Sequence, residues 1–491
     1  MRISELNSVH DSYDADTWRD YDALYEGGQK FRRRVTRFLK RNPLEPAQVY
    51  SDRCDVAHYR SYLGPVVDYF AAFLFTSQIA IRAQVDGQAA DPDEYYARFK
   101  EACDGHHTDL ADFLRARFTR ALVDGCALWL VEKPRASAVR SKAEWREQGL
   151  GDAILKPLDR EALLDWGVDE SGAMLWCVIC NSETYRPRPG AKQIVRTTWR
   201  IYDQTTVTVY RHERAHDEPL DPSKEAALVE QYPHGFREIP LVTLRVPVGL
   251  WVANRIESPQ REHFQLSNAN TWAIRKTCYA TPVFYVQDSE RPPVMGAGYY
   301  TMLQVGEKLD WAAPPASPFD SISREVDAQR DEIYRIVHQM ALGVDNNAAS
   351  VGRSGLSKSV DASSTKVVLS AYGACVREAI EETYELLTQA RGEDYTWSIE
   401  GLDKYDAADV ASLVDAVSKA IQLDIPSPTF HREVRKRAAL SLVADTSQQV
   451  KDKIAYEIDE NLTDEPDKTP ELPEEEPPQP DEPDEDEAEP E

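Results

Sequence analysis

The chain has 491 residues, 42% of them hydrophobic and 29% charged, and a formal charge of −27 from 57 basic against 84 acidic side chains. Such a composition describes a folded protein of several modules, not a fibrous or wholly disordered one, and so negative a chain does not grip nucleic acid through a general basic surface. No apolar run approaches the roughly 18 residues needed to cross a bilayer. The opening MRISELNSVHDSYDAD has no apolar signal core, so synthesis in a cytoplasm and no membrane partner are the expectation.

Seven scattered cysteines, Cys54, Cys103, Cys126, Cys177, Cys180, Cys278 and Cys375, read as reduced and mostly buried.

In chain order, helical spacing predicts one helix over 14–41, with Phe31, Val35, Phe38 and Leu39 on one face. Lys30, Arg33, Arg34, Arg37 and Arg41 fall on the other, the one concentrated positive patch and a possible basic contact face. A second helix is expected over 52–76 and a third over Leu110 to Val123. Strand patterns follow at Ala127–Val131, Met174–Cys180, Ile194–Tyr202, Thr206–Arg211 and Ile239–Val246, with a hairpin at Asp203-Gln204.

From Leu250 the chain turns to long helices. The segment 251–277 is helical in pattern, although Pro259 predicts a kink or marks the true start. A strand at Thr281–Val286 leads into a compact strand-and-turn region through 318. A helix over 319–341 turns Ile322, Val326, Ile333, Ile336, Val337 and Met340 inward. The polar stretch 343–358 reads as a loop. A long helix over 361–391 repeats Leu369, Tyr372, Val376, Ile380, Thr383 and Leu387, and Gly392 occupies its left-handed cap. Helices at 406–422 and 428–444 follow, the latter with Ser427 as cap and Pro428 in its first turn. Residues 463–491 hold fifteen acids against one lysine amid prolines, a disordered acidic tail.

No motif of catalysis stands out. Cys177 and Cys180 sit in a strand pattern, where positions three apart face opposite ways, so they do not share one metal. Cys103, His106, His107 and Asp109 have the residue types of metal ligands but no partner cluster, and read as a polar loop. Gly352–Ser359 lacks the glycine directly before lysine that a phosphate loop needs. Neither G-x-S-x-G nor H-E-x-x-H occurs. No cofactor, metal or catalytic residue is assigned.

Four stretches stand out by their order and spacing: Asp22–Gly28 with Tyr50, Arg53, Tyr59, Val66-Val67 and Phe73–Phe75; Ala121–Gly125 through Trp129–Glu132 to Pro134; Ile239–Val242 ahead of Ala253, His263, Ser267 and Pro282; and Gly306 with the prolines at 314, 315 and 318. Together they resemble the phage portal protein superfamily. The similarity runs from about 20 to 445.

The resemblance implies an α+β, helix-dominated protomer of a cyclic ring, usually dodecameric in heads. It divides the chain into a wing-like α/β domain at 1–250, a first stem helix at 251–278, a clip at 279–318 and a second stem helix at 319–342. A tunnel loop at 343–358, a long wing helix at 359–392, a helical crown at 393–462 and the acidic tail at 463–491 complete it. It places Asn346, Asn347, Arg353 and Lys358 toward a DNA channel. The partners implied are copies of itself, the terminase large subunit, major capsid and scaffolding proteins, head–tail connector proteins, and double-stranded DNA passing without sequence preference. The place implied is the portal vertex of a virion. A carboxylate-metal nuclease and a monomeric adaptor acting through the acidic tail are the alternatives from other classes.

Overall fold

The structure is a computed structural model that describes residues 1–77, 79–134, 149–277, 281–285, 308–312, 317–344 and 357–402, with isolated positions between 427 and 458. It divides into two compact units, Met1–Tyr405 and Asp406–Glu491.

The first unit opens with helices α1 (Ile3–Leu6), α2 (Ala15–Glu26), α3 (Gly28–Phe38), α4 (Ala47–Asp55) and α5 (Leu63–Leu74). Strands β1 (Ala80–Val85) and β2 (Gln88–Ala90) precede α6 (Glu94–Glu101) and α7 (Leu110–Asp124). Strands β3 (Cys126–Glu132), β4 (Ile154–Leu158), β5 (Leu163–Val168), β6 (Met174–Tyr185), β7 (Ile194–Asp203), β8 (Thr206–Ala215), β9 (Ala227–Pro233) and β10 (Leu241–Arg245) follow. Then come α8 (Val252–Thr277), β11 (Thr281–Tyr285), β12 (Lys308–Ala312), α9 (Ser317–Val344), α10 (Ser357–Arg391) and β13 (Thr396–Glu400). Helices and antiparallel sheets together make an α+β protein.

Two expected helices divide. The helix predicted over 14–41 is α2 plus α3, because Gly27 and Gly28 take φ of 64° and 52°, a left-handed pair that interrupts the hydrogen-bond ladder at little steric cost. The helix predicted over 52–76 is α4 plus α5. Between them the chain leaves helical geometry so that Tyr59 can stack on Phe31 with ring centroids 3.9 Å apart, its hydroxyl donating to the Leu24 carbonyl at 2.6 Å. Burying an aromatic ring and satisfying its hydroxyl outweighs the local helical preference.

β3 lies between β10 and β4 and its residues Ala127–Val131 are buried on both faces, which is why that stretch is apolar without a break. Ala127, Trp129 and Val131 face the main core, which joins α2–α7 to α8, α9 and α10. Leu128 and Leu130 face a second core shared with Cys177, Ile179, Tyr202, Val207 and Val209 of the five-stranded sheet β5-β6-β7-β8-β9. The other face of that sheet carries Trp199, covered by Ile3 and Leu6 of the N-terminal segment.

A third sheet, β13-β1-β2, closes over a large sequence separation: Ala80 pairs Glu400 and Gln84 pairs Thr396. Residues 396–400 were expected in a helical crown; they are a strand of the body. Where the chain returns from α10, a Cβ on Gly373 would lie 1.8 Å from the Leu402 carbonyl oxygen, so only glycine permits this approach.

In the second unit, Ser427 Oγ accepts from the Phe430 amide at 3.3 Å, a cap three residues ahead of helical Phe430, Arg432, Arg435 and Lys436. The expected helix at 406–422 and the tail at 463–491 lie outside the described residues.

Candidate functional site

The segments expected to form stem and clip contain α8, the antiparallel pair β11–β12, and α9, which packs along α8. On α8 the residues Val252, Ile256, Gln260, Phe264 and Asn268 recur every fourth position and are all buried. They root the helix in the main core. Phe264 meets Phe31 edge-on at 4.8 Å. The hydroxyl of Tyr372 on α10 donates to the Leu250 carbonyl at 2.6 Å, just before α8 begins. The helix runs through Pro259 without ending, and Val252 is its start.

The polar side chains of this root are matched to the body. Gln260 is fully buried, and its Oε1 accepts from the amides of Tyr62 at 2.9 Å and Leu63 at 3.3 Å. Its Nε2 donates to the Arg60 carbonyl at 3.0 Å, so a side chain of α8 satisfies amides that α5 cannot satisfy within itself. Asp20 on α2 is 2% exposed and accepts from Arg34 at 2.6 Å, Arg37 at 3.0 Å and Arg261 at 3.2 Å, tying α2, α3 and α8 through one carboxylate.

Beyond Phe264 the packing thins. Ile274 is 44% exposed, and Asn270 reaches only across to Ser323 of α9 at 3.1 Å. Of the six residues expected inward on α9, Ile333 is fully buried; Ile322, Val326, Ile336 and Val337 are half-buried, and the side chain of Met340 lies outside the described set. Where α8, α9 and residues 58–62 meet is a cavity of about 210 Å³, lined in part by Arg60, Tyr62, His263 and Arg330. Burial, then the neighbouring Arg60 and Arg330, hold the His263 imidazole below its ordinary value.

The expected channel residues Asn346, Asn347 and Arg353 lie outside the described residues. Lys358 is the second residue of α10. On the basic face of α3, Lys30 bonds Asp22 at 2.7 Å and reaches Glu26, while Arg34 and Arg37 are held by Asp20 and Asp16. For Asp22, the opposing pull of burial is overcome by hydrogen bonds from Lys30 and Arg120, and the carboxyl sits below its ordinary range. Arg41 donates to the Glu45 carbonyl at 2.7 Å. Arg33 is exposed, with no ion pair among the described residues.

Much of the stripe therefore neutralises α2. The sequence reading missed a second positive patch, the turn 186–193 between β6 and β7. Arg186, Arg188 and Lys192 are exposed there, with no acid in the turn and no ion pair among the described residues. Three cations punctuated by Pro187 and Pro189 between two strand patterns were the signal available.

Cys177 faces the second core and Cys180 the opposite face of β6, as alternation requires. Burial pushes the Cys177 thiol up to about 12. In the loop before α7, Cys103 Sγ donates to the Thr108 carbonyl at 3.3 Å, and Asp104 accepts from Thr108 Oγ1 at 2.5 Å. His106 and His107 are exposed, and the segment forms the polar loop that the sequence predicts.

Compared with family models and with curated proteins, the chain matches none. Among solved structures it is similar, at 12% identity and a TM-score of 0.37, to a chain of the virion of a native gene transfer agent particle, over 73% of this chain and 84% of that one. It has the same identity, score and coverage against a chain of the neck of an empty particle of that kind, computed with C6 symmetry. Against a chain of the native particle's neck, computed with C12 symmetry, identity is 11% and the TM-score 0.33, over 80% of this chain and 89% of that one. At these scores the likeness carries no argument about what this chain does.

Proposed function

We propose that this chain is a structural subunit, not an enzyme: one protomer of a portal-type ring that conducts DNA into and out of a capsid. The observation that carries the reading is the order α8, β11–β12, α9, α10, with α8 and α9 packed together and α8 rooted in an α/β body. That is the order of stem, clip, stem and long helix that the sequence resemblance implies. A ring subunit needs rigid helices and broad surfaces for its neighbours, and a heterologous contact that closes on itself makes the ring. A chain of charge −27 holds phosphates weakly, which suits a conduit through which DNA slides.

In this reading the ring occupies one capsid vertex within a shell of capsid and scaffolding proteins. A separate terminase motor docks on it during filling, and head–tail connector proteins dock afterwards. Asn346, Asn347, Arg353 and Lys358 line its bore.

The test is the particle mass of the purified chain, with negative-stain images of the same sample. A closed ring with a central hole is the expected result. A monomer at every protein and salt concentration that also cleaves DNA in a metal-dependent way overturns the reading.

A further inference from the structure

Two faces of the body are strongly charged, opposite in sign, and without an ion pair among the described residues. The first is the tip of the β6–β7 hairpin. These strands pair from Trp176↔Asp203 to Tyr185↔Ile194, whereas β5 pairs β6 only from Leu163↔Ile179 to Val168↔Met174. The hairpin therefore runs six residues of β6 beyond its β5 neighbour. Its turn presents Arg186, Arg188 and Lys192 to solvent. The next charges are already matched: Arg196 on β7 binds Glu183 at 3.1 Å and Glu213 at 2.7 Å, and in the β8–β9 connection that borders the turn Lys224 binds Glu218 at 2.8 Å. Pro187 and Pro189 restrict the backbone of the turn, so presenting three cations loses little further entropy.

The second is the outward face of α10. Ala374, Glu378, Glu381 and Glu385 recur at four, three and four residues and are exposed, with Glu382 beside them. The opposite face of the same helix, Tyr372, Val376, Ile380, Thr383 and Leu387, is buried. None of the four glutamates has an ion pair among the described residues. Glu238 adds a fifth carboxylate beside them; burial, then the Glu238 charge, pushes the Glu382 carboxyl up to about 7, so Glu378, Glu381 and Glu385 carry most of the charge, and Arg237, adjacent to Glu238 in sequence, is itself exposed. Glutamates on successive turns of one helix face repel one another.

We propose that the hairpin tip of one protomer docks on the outward face of α10 of the next, Arg186, Arg188 and Lys192 meeting Glu378, Glu381, Glu382 and Glu385. The inference rests on the ring reading and specifies one of its contacts. The two patches lie on different elements, so each protomer can offer one to each neighbour in a head-to-tail contact that repeats around a ring; a two-fold pairing would use both patches reciprocally and stop at a dimer, which the particle mass distinguishes. Complementary charge of this sort sets register and approach more than total affinity. Arg186, Arg188, Lys192, Glu378, Glu381 and Glu385 are exposed, whereas Glu382 also accepts from the Thr243 backbone, so folding of each variant is checked directly.

The experiment uses the full chain and reads the assembled fraction by particle mass over a salt series, with circular dichroism to confirm folding. R186E/R188E/K192E alone, and E378R/E382R/E385R alone, are each expected to lower assembly by about tenfold at moderate salt, and the combined variant to recover it. Independently, K192C/E382C is expected to form disulfide-linked multimers under mild oxidation, with neither single-cysteine parent doing so. Rings unaffected by either reversal, or a combined variant no better than its parents, overturn the contact and leave the ring reading intact. Loss of assembly on deleting 463–491, with the α10 reversal silent, makes the acidic tail the occupant and also overturns it. A wild type that never exceeds a monomer, with no cross-link from the cysteine pair, removes both.

Discussion

The two halves of α8 contrast within one unbroken helix. From Val252 to Phe264 every fourth residue is buried, and its polar members are spoken for: Gln260 by α5, Arg261 by Asp20. From Asn268 onward Asn270 reaches Ser323 of α9, and Ile274 is 44% exposed. Helical propensity does not distinguish the halves. Among the described residues, more elements converge on the first half than on the second, which is why the first belongs to the body's cooperative core.

The largest test of that contrast is Phe264→Ala. The ring is 1% exposed and packed against Phe31, so truncation should cost about 3–5 kcal/mol of unfolding free energy, read by urea denaturation. A loss below about 1 kcal/mol, the range of surface changes, would mean the root is not part of the core.

A smaller effect comes from His263, at the border of the two halves. Its folded value is lowered below 6.5 by burial and by Arg60 and Arg330. The unfolded chain then takes up a proton near its ordinary value before the folded one does, so stability should fall as pH drops below about 6.5. Stability curves of the wild type and His263→Gln, measured from pH 7.5 to 5, should converge as pH falls. Parallel curves would place the imidazole in water.

The smallest effect is expected from Ile274→Ser, within about 0.5 kcal/mol for the isolated protomer. A loss as large as that of Phe264→Ala would erase the contrast.

Much of the architecture is written locally. The buried stripe of α10, the cap at Ser427, the meander β6–β7–β8 with its turn at Asp203, and the all-apolar β3 follow from periodicity and cap chemistry, which depend on neighbours within a few residues. The opposite faces of Cys177 and Cys180 follow from strand alternation alone.

What periodicity does not encode is which distant group a face or charge will meet. The break at Gly27-Gly28 and the departure of Tyr59 from helix are decided by Phe31 and the Leu24 carbonyl. The pairing of β13 with β1 joins segments about 300 residues apart, and a five-residue strand gives too little pattern to announce it. Most instructive is charge. Along the sequence, Lys30, Arg34 and Arg37 look like a contact face and Arg186, Arg188 and Lys192 look like an ordinary turn. Folding reverses their standing, because the carboxylates of α2 come to lie against the first group and, among the described residues, none pairs with the second. Sequence determines where the charges are, and tertiary structure decides which remain unmatched, since an ion pair depends on distance through space and not along the chain.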